Sequence, residues 1–188
     1  MSSAAIVDRL LRKANSNVQK YMNGASPSQV KEGKSWYANA NSIAKDLAII
    51  NGVSLEVAAG VIAILSPGIR WSRNIEDASA LLQGNKSHAF TGYGKNVKKA
   101  MKLRYTGDLS LVSGQKVRSF WKAIVNPLDQ SVVVVDRHAS RVALNTSDLK
   151  LAGRATELRY DKIANAYRKV ADKLGLLPLE AQAICWVR

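Results

Sequence analysis

Apolar residues recur along most of this chain at helical spacing rather than in strict alternation. In "SAAIVDRLLRKANSNVQKYM" (3–22), Ile6, Leu10 and Leu11 share one stripe and predict an amphipathic helix. "SPSQVKEGKSW" (26–36) is polar and reads as a link. A helix is predicted over "SWYANANSIAKDLAIING", with Ser35 as N-cap and Asn51-Gly52 as stop. "SLEVAAGVIAILSP" opens at Ser54, is apolar nearly all round and stops at Pro67, the pattern of a buried central helix. "WSRNIEDASALLQGN" follows, closed by Gly84. "GYGKNVKKAMKLRYTGDLS" is a basic helix between glycines. "SGQKVRSFWKAIVNP" is opened by Ser113-Gly114 and closed before Pro127. The valines of "VVVVDRHASRVAL" (132–144) favour a strand by propensity. No other segment offers a strand to pair with, so the run is expected as a buried connection into a helix starting near Asp136. "ATELRYDKIANAYRKVADKLGL" and "PLEAQAICWVR" give two final helices joined by a Gly-Leu-Leu-Pro turn. The expected class is all-α, without repeats or a clear domain linker.

Composition bounds what such a chain does. Its 188 residues suffice for a single globular unit, or two small lobes, and 47% hydrophobic content supplies a core. No apolar run approaches the ~20 residues of a membrane span, and the N-terminal segment with Asp8 is amphipathic rather than a signal peptide. One cysteine, Cys185, excludes an internal disulfide, a four-cysteine zinc site and a four-cysteine iron–sulfur cluster. With so little cysteine, the expected compartment is the cytoplasm. The charge is more telling, at +14. Residues 95–141 hold ten Lys or Arg against three Asp or Glu, a net of +7. A charge so large and clustered points to a polyanion, nucleic acid before a membrane surface.

Several residues then need weighing. Asp136 at a helix start suits an N-cap. Lys116, in the first turn of its helix, suits solvent or a phosphate. Trp71, beside Arg70 at the start of a helix, reads as a core anchor or as a stacking platform for an unpaired base. Lys95, Lys98, Lys99 and Lys102 form a basic face suited to phosphates. Trp121 reads as core, His138 as a hydrogen-bonded structural residue, and Gln182 and Trp186 as packing from one face of the last helix.

In order, three segments resemble the helix-hairpin-helix DNA glycosylase superfamily, of the endonuclease III-like kind, over residues 43–145. They are "VAAGVIAILSPGIRWSRNIEDASALL", "GKNVKKAMKLRYTGDLSLVSGQKVRSFWKAI" and "VVVVDRHASRVAL". The family carries a hairpin Leu-Pro-Gly-Val-Gly-x-Lys-Thr-Ala and, about twenty residues later, Val-Asp-Thr-His-Val-x-Arg. The resemblance places Asp136 on the catalytic aspartate and Lys116 on the lysine of the members that also cut the strand. It places Gly114 on the second hairpin glycine, and His138 and Arg141 on a structural pair. "SPGIRW", with Arg70 and Trp71, falls where the family has a loop that enters the gap left by a flipped nucleotide. Two departures stand out: Val112 replaces the first hairpin glycine within "SLVS", and the C-terminal iron–sulfur loop is absent. The ending "PLEAQAICWVR" is also similar to small phage-borne proteins.

The resemblance implies a two-lobed helical fold, with a central lobe of 43–135, a terminal lobe of 1–42 plus 136–188, and a cleft where Asp136 and Lys116 meet. It implies a monomeric DNA N-glycosylase that flips a damaged or modified base and cleaves its glycosidic bond, with or without AP-lyase activity. A carboxylate at Asp136 would stabilise the positive charge that builds on the sugar. The DNA would be held by Gly114, Gln115, Arg70, Trp71, Lys95, Lys98, Lys99, Arg118 and Arg137. No metal or other cofactor is expected. Two other readings remain open: a pyrophosphorylase-like base-exchange enzyme of phage DNA modification, and a DNA-binding protein that has lost its chemistry.

Overall fold

The structure is a computed structural model that describes residues 3–148, 150–153 and 156–188. Those residues form ten α-helices, one short 3-10 turn at Leu109–Leu111 and no strand, the all-α class that the patterning predicts. The helices are α1 (Ser3–Leu11), α2 (Ala14–Asn23), α3 (Pro27–Asn51), α4 (Leu55–Leu65), α5 (Trp71–Gln83), α6 (Gly94–Thr106), α7 (Gln115–Val125), α8 (Arg137–Leu144), α9 (Glu157–Leu174) and α10 (Pro178–Val187). The chain divides into two compact units, a central one of Ala38–Asn126 and a terminal one of Met1–Tyr37 with Pro127–Arg188. The expected limits of 43–135 and 1–42 plus 136–188 differ most at the valine run. Val133 and Val135 lie in the terminal unit's core with Val18, Val142, Ile163 and Tyr167, so that run belongs there.

In the central unit α4 is surrounded. Its residues from Val57 to Leu65 are all buried, as an all-round apolar helix requires, and α5, α6 and α7 pack on it. Ser54 caps it, its hydroxyl accepting from the Val57 N–H at 3.2 Å. Helix α7 is tied in at its middle and at its C-terminus. The Trp121 indole N–H donates to the Glu56 carbonyl at 3.0 Å. The Asn41 amide donates to the Ile124 and Val125 carbonyls at 2.8 and 3.2 Å, satisfying acceptors that a helix C-terminus leaves open. Asp77 on α5 is fully buried. Its Oδ1 meets His88 Nε2 at 2.7 Å and Arg73 Nε at 3.2 Å, and its Oδ2 accepts from the Thr91 N–H at 3.0 Å. These partners offset its desolvation and pin the segment between α5 and α6.

The terminal unit packs α2, α8, α9 and α10 around one core, with α1 against α8. Three sequence expectations need correction here. The first predicted helix is broken at Arg12-Lys13, where Lys13 leaves helical geometry (φ −98°, ψ 4°) before α2 begins. The polar link at 26–36 is helix from Pro27 onward. Its start is a capping box: the Gln29 N–H donates to Ser26 Oγ at 3.3 Å, and the Ser26 N–H donates to Gln29 Oε1 at 2.9 Å. Pro27 takes the first helical position, where its missing N–H costs nothing. Ser35 is therefore no N-cap. It sits inside α3 with its hydroxyl turned back onto the Lys31 and Glu32 carbonyls at 3.3 and 3.1 Å.

Candidate functional site

Asp136 follows an extended run that must satisfy its backbone without a partner strand. Tyr160 of α9, itself buried, supplies what is missing. Its hydroxyl accepts from the Val135 N–H at 3.0 Å and donates to the Val133 carbonyl at 2.9 Å. The chain then enters α8 at Asp136, whose Oδ1 accepts from the Ala139 N–H at 2.7 Å. That makes Asp136 the N-cap, one of the two roles open to it in the sequence. Among the described residues its Oδ2 accepts no hydrogen bond.

The carboxylate is half-buried, and its charge reaches two buried tyrosines. Burial holds the Tyr37 and Tyr167 phenols well above their ordinary range, and the negative charge of Asp136 pushes both further in the same direction. Tyr37 donates to Gln182 Oε1 at 2.6 Å, and Tyr167 donates to the Ala139 carbonyl at 3.2 Å. Gln182 is thus buried packing, as expected. Trp186 packs edge-on to Trp36, ring centres 5.0 Å apart. His138 is structural too, its Nε2–H donating to the Cys185 carbonyl at 2.8 Å. The Cys185 thiol is pushed up to about 12 by burial, which leaves it protonated and inert. Arg137 and Arg141 are exposed. The sequence reading missed the tyrosines because their partners lie far off in the chain, 145 residues for Tyr37 and 25 for Tyr160. The one local hint is that Tyr160 and Tyr167 share the stripe of Ile163 and Ala164 on α9.

The remaining candidates lie in the central unit. Gly114 precedes α7 with φ +90°, a conformation that favours glycine, and the helix start carries no side-chain cap. Gly114 and Gln115 are exposed there, so first-turn N–H groups face outward. Val112, where the resemblance has a glycine, is buried beside Gly60 of α4: a Cβ built on Gly60 would come within 3.1 Å of Val112 Cγ2. Val112 thus anchors this turn on α4. Lys99 Nζ donates to Ser113 Oγ at 2.5 Å, and Arg118 Nε donates to the Val112 carbonyl at 3.2 Å, so both border this turn.

Lys116 donates to Ser66 Oγ at 2.9 Å and lies 5.0 Å from the centre of the Phe120 ring. Trp71, half-buried, meets the same ring edge-on at 6.3 Å. The "SPGIRW" loop and the first turn of α7 are therefore brought together, with Arg70 exposed at the loop's end. Lys95, Lys98 and Lys102 are exposed on α6. Asp136 and Arg137 belong to the terminal unit, and Lys116 with the other DNA-binding candidates to the central one. No group of three or more His, Cys, Asp or Glu among the described residues could hold a metal ion. No single helix among them is long and apolar enough to cross a membrane; α3 and α4 pass only as a pair bent by 116°, and α4 is buried in its unit.

No curated protein and no solved structure matches the chain. A family model does match, over residues 2–188, and the chain belongs to that family, a family of unknown function (DUF7178).

Proposed function

We propose that this protein is a DNA N-glycosylase in which Asp136 acts on the sugar of an extruded nucleotide. The observation that carries the reading is the carboxylate itself. Asp136 closes a buried apolar run, is fixed in orientation by the cap bond through Oδ1, and keeps Oδ2 without a hydrogen bond among the described residues. A negative charge held beside buried side chains acts more strongly than one in water. As the C1′–N bond breaks, the bonding pair leaves with the base and positive charge builds on the sugar, where a carboxylate stabilises it. Water then adds to C1′ and gives a proton to the carboxylate. The α7 turn with Gly114 and Gln115, and the lysines of α6, would hold phosphates.

Lys116 fits strand cleavage less well. Its amine donates to Ser66 Oγ at 2.9 Å and lies 5.0 Å from the centre of the Phe120 ring, contacts that hold it within the central unit. The proposal is therefore a monofunctional enzyme, with Lys116 in the phosphate-binding group.

The test is base release, followed chromatographically, over duplexes carrying damaged, mismatched and phage-type modified bases. Wild type should release one of them with no adduct trapped by borohydride, and Asp136→Asn should release it about 10²–10³-fold more slowly. Dependence on added phosphate, with a sugar phosphate product, would favour base exchange. Tight duplex binding with no release across the panel would leave a DNA-binding protein whose Asp136 is a cap alone.

A further inference from the structure

The outer face of α6 carries an exposed aromatic residue within its charge. Val97, Ala100 and Leu103 are buried, and α6 packs on α4. Lys95, Lys98, Lys102 and Tyr105 follow one another at i, i+3, i+7 and i+10, so they line the opposite side, and all four are exposed. At 1.5 Å per residue the stripe is about 15 Å long. Residues 93–107 contain no Asp or Glu, and no lysine of α6 enters an ion pair among the described residues. The neighbouring carboxylate, Asp108, accepts from the Ser110 N–H at 3.0 Å; its hydrogen bonds from Ser110 hold it below its ordinary range, and the charge of Lys102 adds to that from beyond ion-pair distance. Tyr105 is 70% exposed, with the partly exposed Met101 one turn before it on the helix. The Arg104 guanidinium lies 5.0 Å from its ring centre and is anchored by donating to the Leu82 carbonyl at 2.6 Å.

We propose that the outer face of α6 is a track for single-stranded nucleic acid, with Tyr105 stacking on an unpaired base and Lys95, Lys98 and Lys102 meeting successive phosphates. The inference rests on the nucleic-acid reading above and adds a strand preference to it. Lysines alone are satisfied by any phosphate backbone. An exposed ring on the same stripe gains only from a base whose face is open, and in a duplex those faces are covered by neighbouring bases.

The experiment is fluorescence anisotropy with a short labelled oligothymidylate and, separately, a blunt duplex, at one salt concentration. Wild type should bind both. Tyr105→Ala should weaken oligothymidylate binding about tenfold, the effect of one lost stack, and leave duplex binding unchanged; Tyr105→Phe should bind as wild type. Lys98→Ala and Lys102→Ala should weaken both ligands. An unchanged oligothymidylate affinity in Tyr105→Ala, or an equal loss on both ligands, overturns the track. Duplex binding by wild type without oligothymidylate binding removes the track and leaves the glycosylase reading standing, whereas binding to neither removes both. If Tyr105→Ala instead releases the protein from phosphatidylserine vesicles while oligothymidylate binding holds, the stripe is a lipid-headgroup surface and the proposal falls.

Discussion

Gly33 of α3 packs against Ile184 of α10 in the terminal unit, and Gly33→Ala should separate the two helices. A Cβ built there would stand 2.5 Å from Ile184 Cγ1 and 2.6 Å from both the Cα and the backbone nitrogen of Ile184. Carbon atoms settle at ~3.5–4.0 Å, so the helices would have to part by about 1 Å. Two of the three obstacles are backbone, so no rotamer change relieves the clash. Overpacking of this kind costs ~1–3 kcal/mol, and the rigid obstacle puts this site at the upper end. Alanine returns about 1 kcal/mol through its better helix propensity. The net loss is about 2 kcal/mol, or ~4–8 °C in Tm for a chain of this size. Thermal melts by circular dichroism, with urea unfolding as a second readout, measure it. Gly94, at the start of α6, is the control: a Cβ there meets nothing within 4 Å, so Gly94→Ala should leave Tm unchanged or slightly higher. A Gly33→Ala protein that melts at or above the wild-type temperature would refute the close approach of α3 and α10.

Three more outcomes follow from the same geometry. Asp136→Ala removes the acceptor of the Ala139 N–H and should cost about 1 kcal/mol in urea unfolding, whereas Asp136→Asn keeps a capping oxygen and should cost a few tenths. Stability should fall above pH 9. The folded thiol of Cys185 titrates near 12 rather than 9.0, and Tyr37 and Tyr167 titrate well above 10.0, so each group holds its proton longer in the folded chain than in the unfolded one. Their contribution is complete below pH 9 and is lost as pH rises from there; Cys185→Ala should delay the onset of the fall to about pH 10 in Tm-versus-pH curves. DNA affinity should drop about tenfold or more between low and moderate salt, because neutralised phosphates release counterions; a flat response by anisotropy would remove the nucleic-acid reading.

Much of this was legible in the chain. Helix α4 has no polar face, so burial was its only option, and Gly84 and Gly107 stop α5 and α6 in the left-handed conformation that glycine allows. The helix start at Asp136 was legible because the valine run had no partner strand, yet the means of satisfying its backbone was not. Tyr160 does that from 25 residues away. The start of α3 was written in Ser26-Pro27-Ser28-Gln29 as a capping box, but the polar composition of 26–36 masked it. Gly33, which looks like a loop residue there, is needed for contact with a helix some 150 residues later, and tertiary proximity of that kind leaves no local pattern. The break between α1 and α2 falls in "LRKA", without Gly or Pro to announce it. The capping role of Asp136 and the exposed lysines of α6 were legible. The tyrosines around the carboxylate, and the grip of Ser66 and Phe120 on Lys116, depend on contacts across the fold.

The central claim is that Asp136 does chemistry beyond capping α8, and the single-turnover rate of base release tests it most directly. Once a substrate base is found, wild type and Asp136→Asn are compared at saturating enzyme, with the folded fraction of each fixed by its melt. Because asparagine keeps the cap, the variant should stay folded and bind DNA as wild type does. Its rate should fall by about 10²–10³, the scale on which losing one preorganised transition-state contact is felt. An Asp136→Asn protein that releases the base at the wild-type rate per folded molecule would contradict the account and reduce Asp136 to a helix cap.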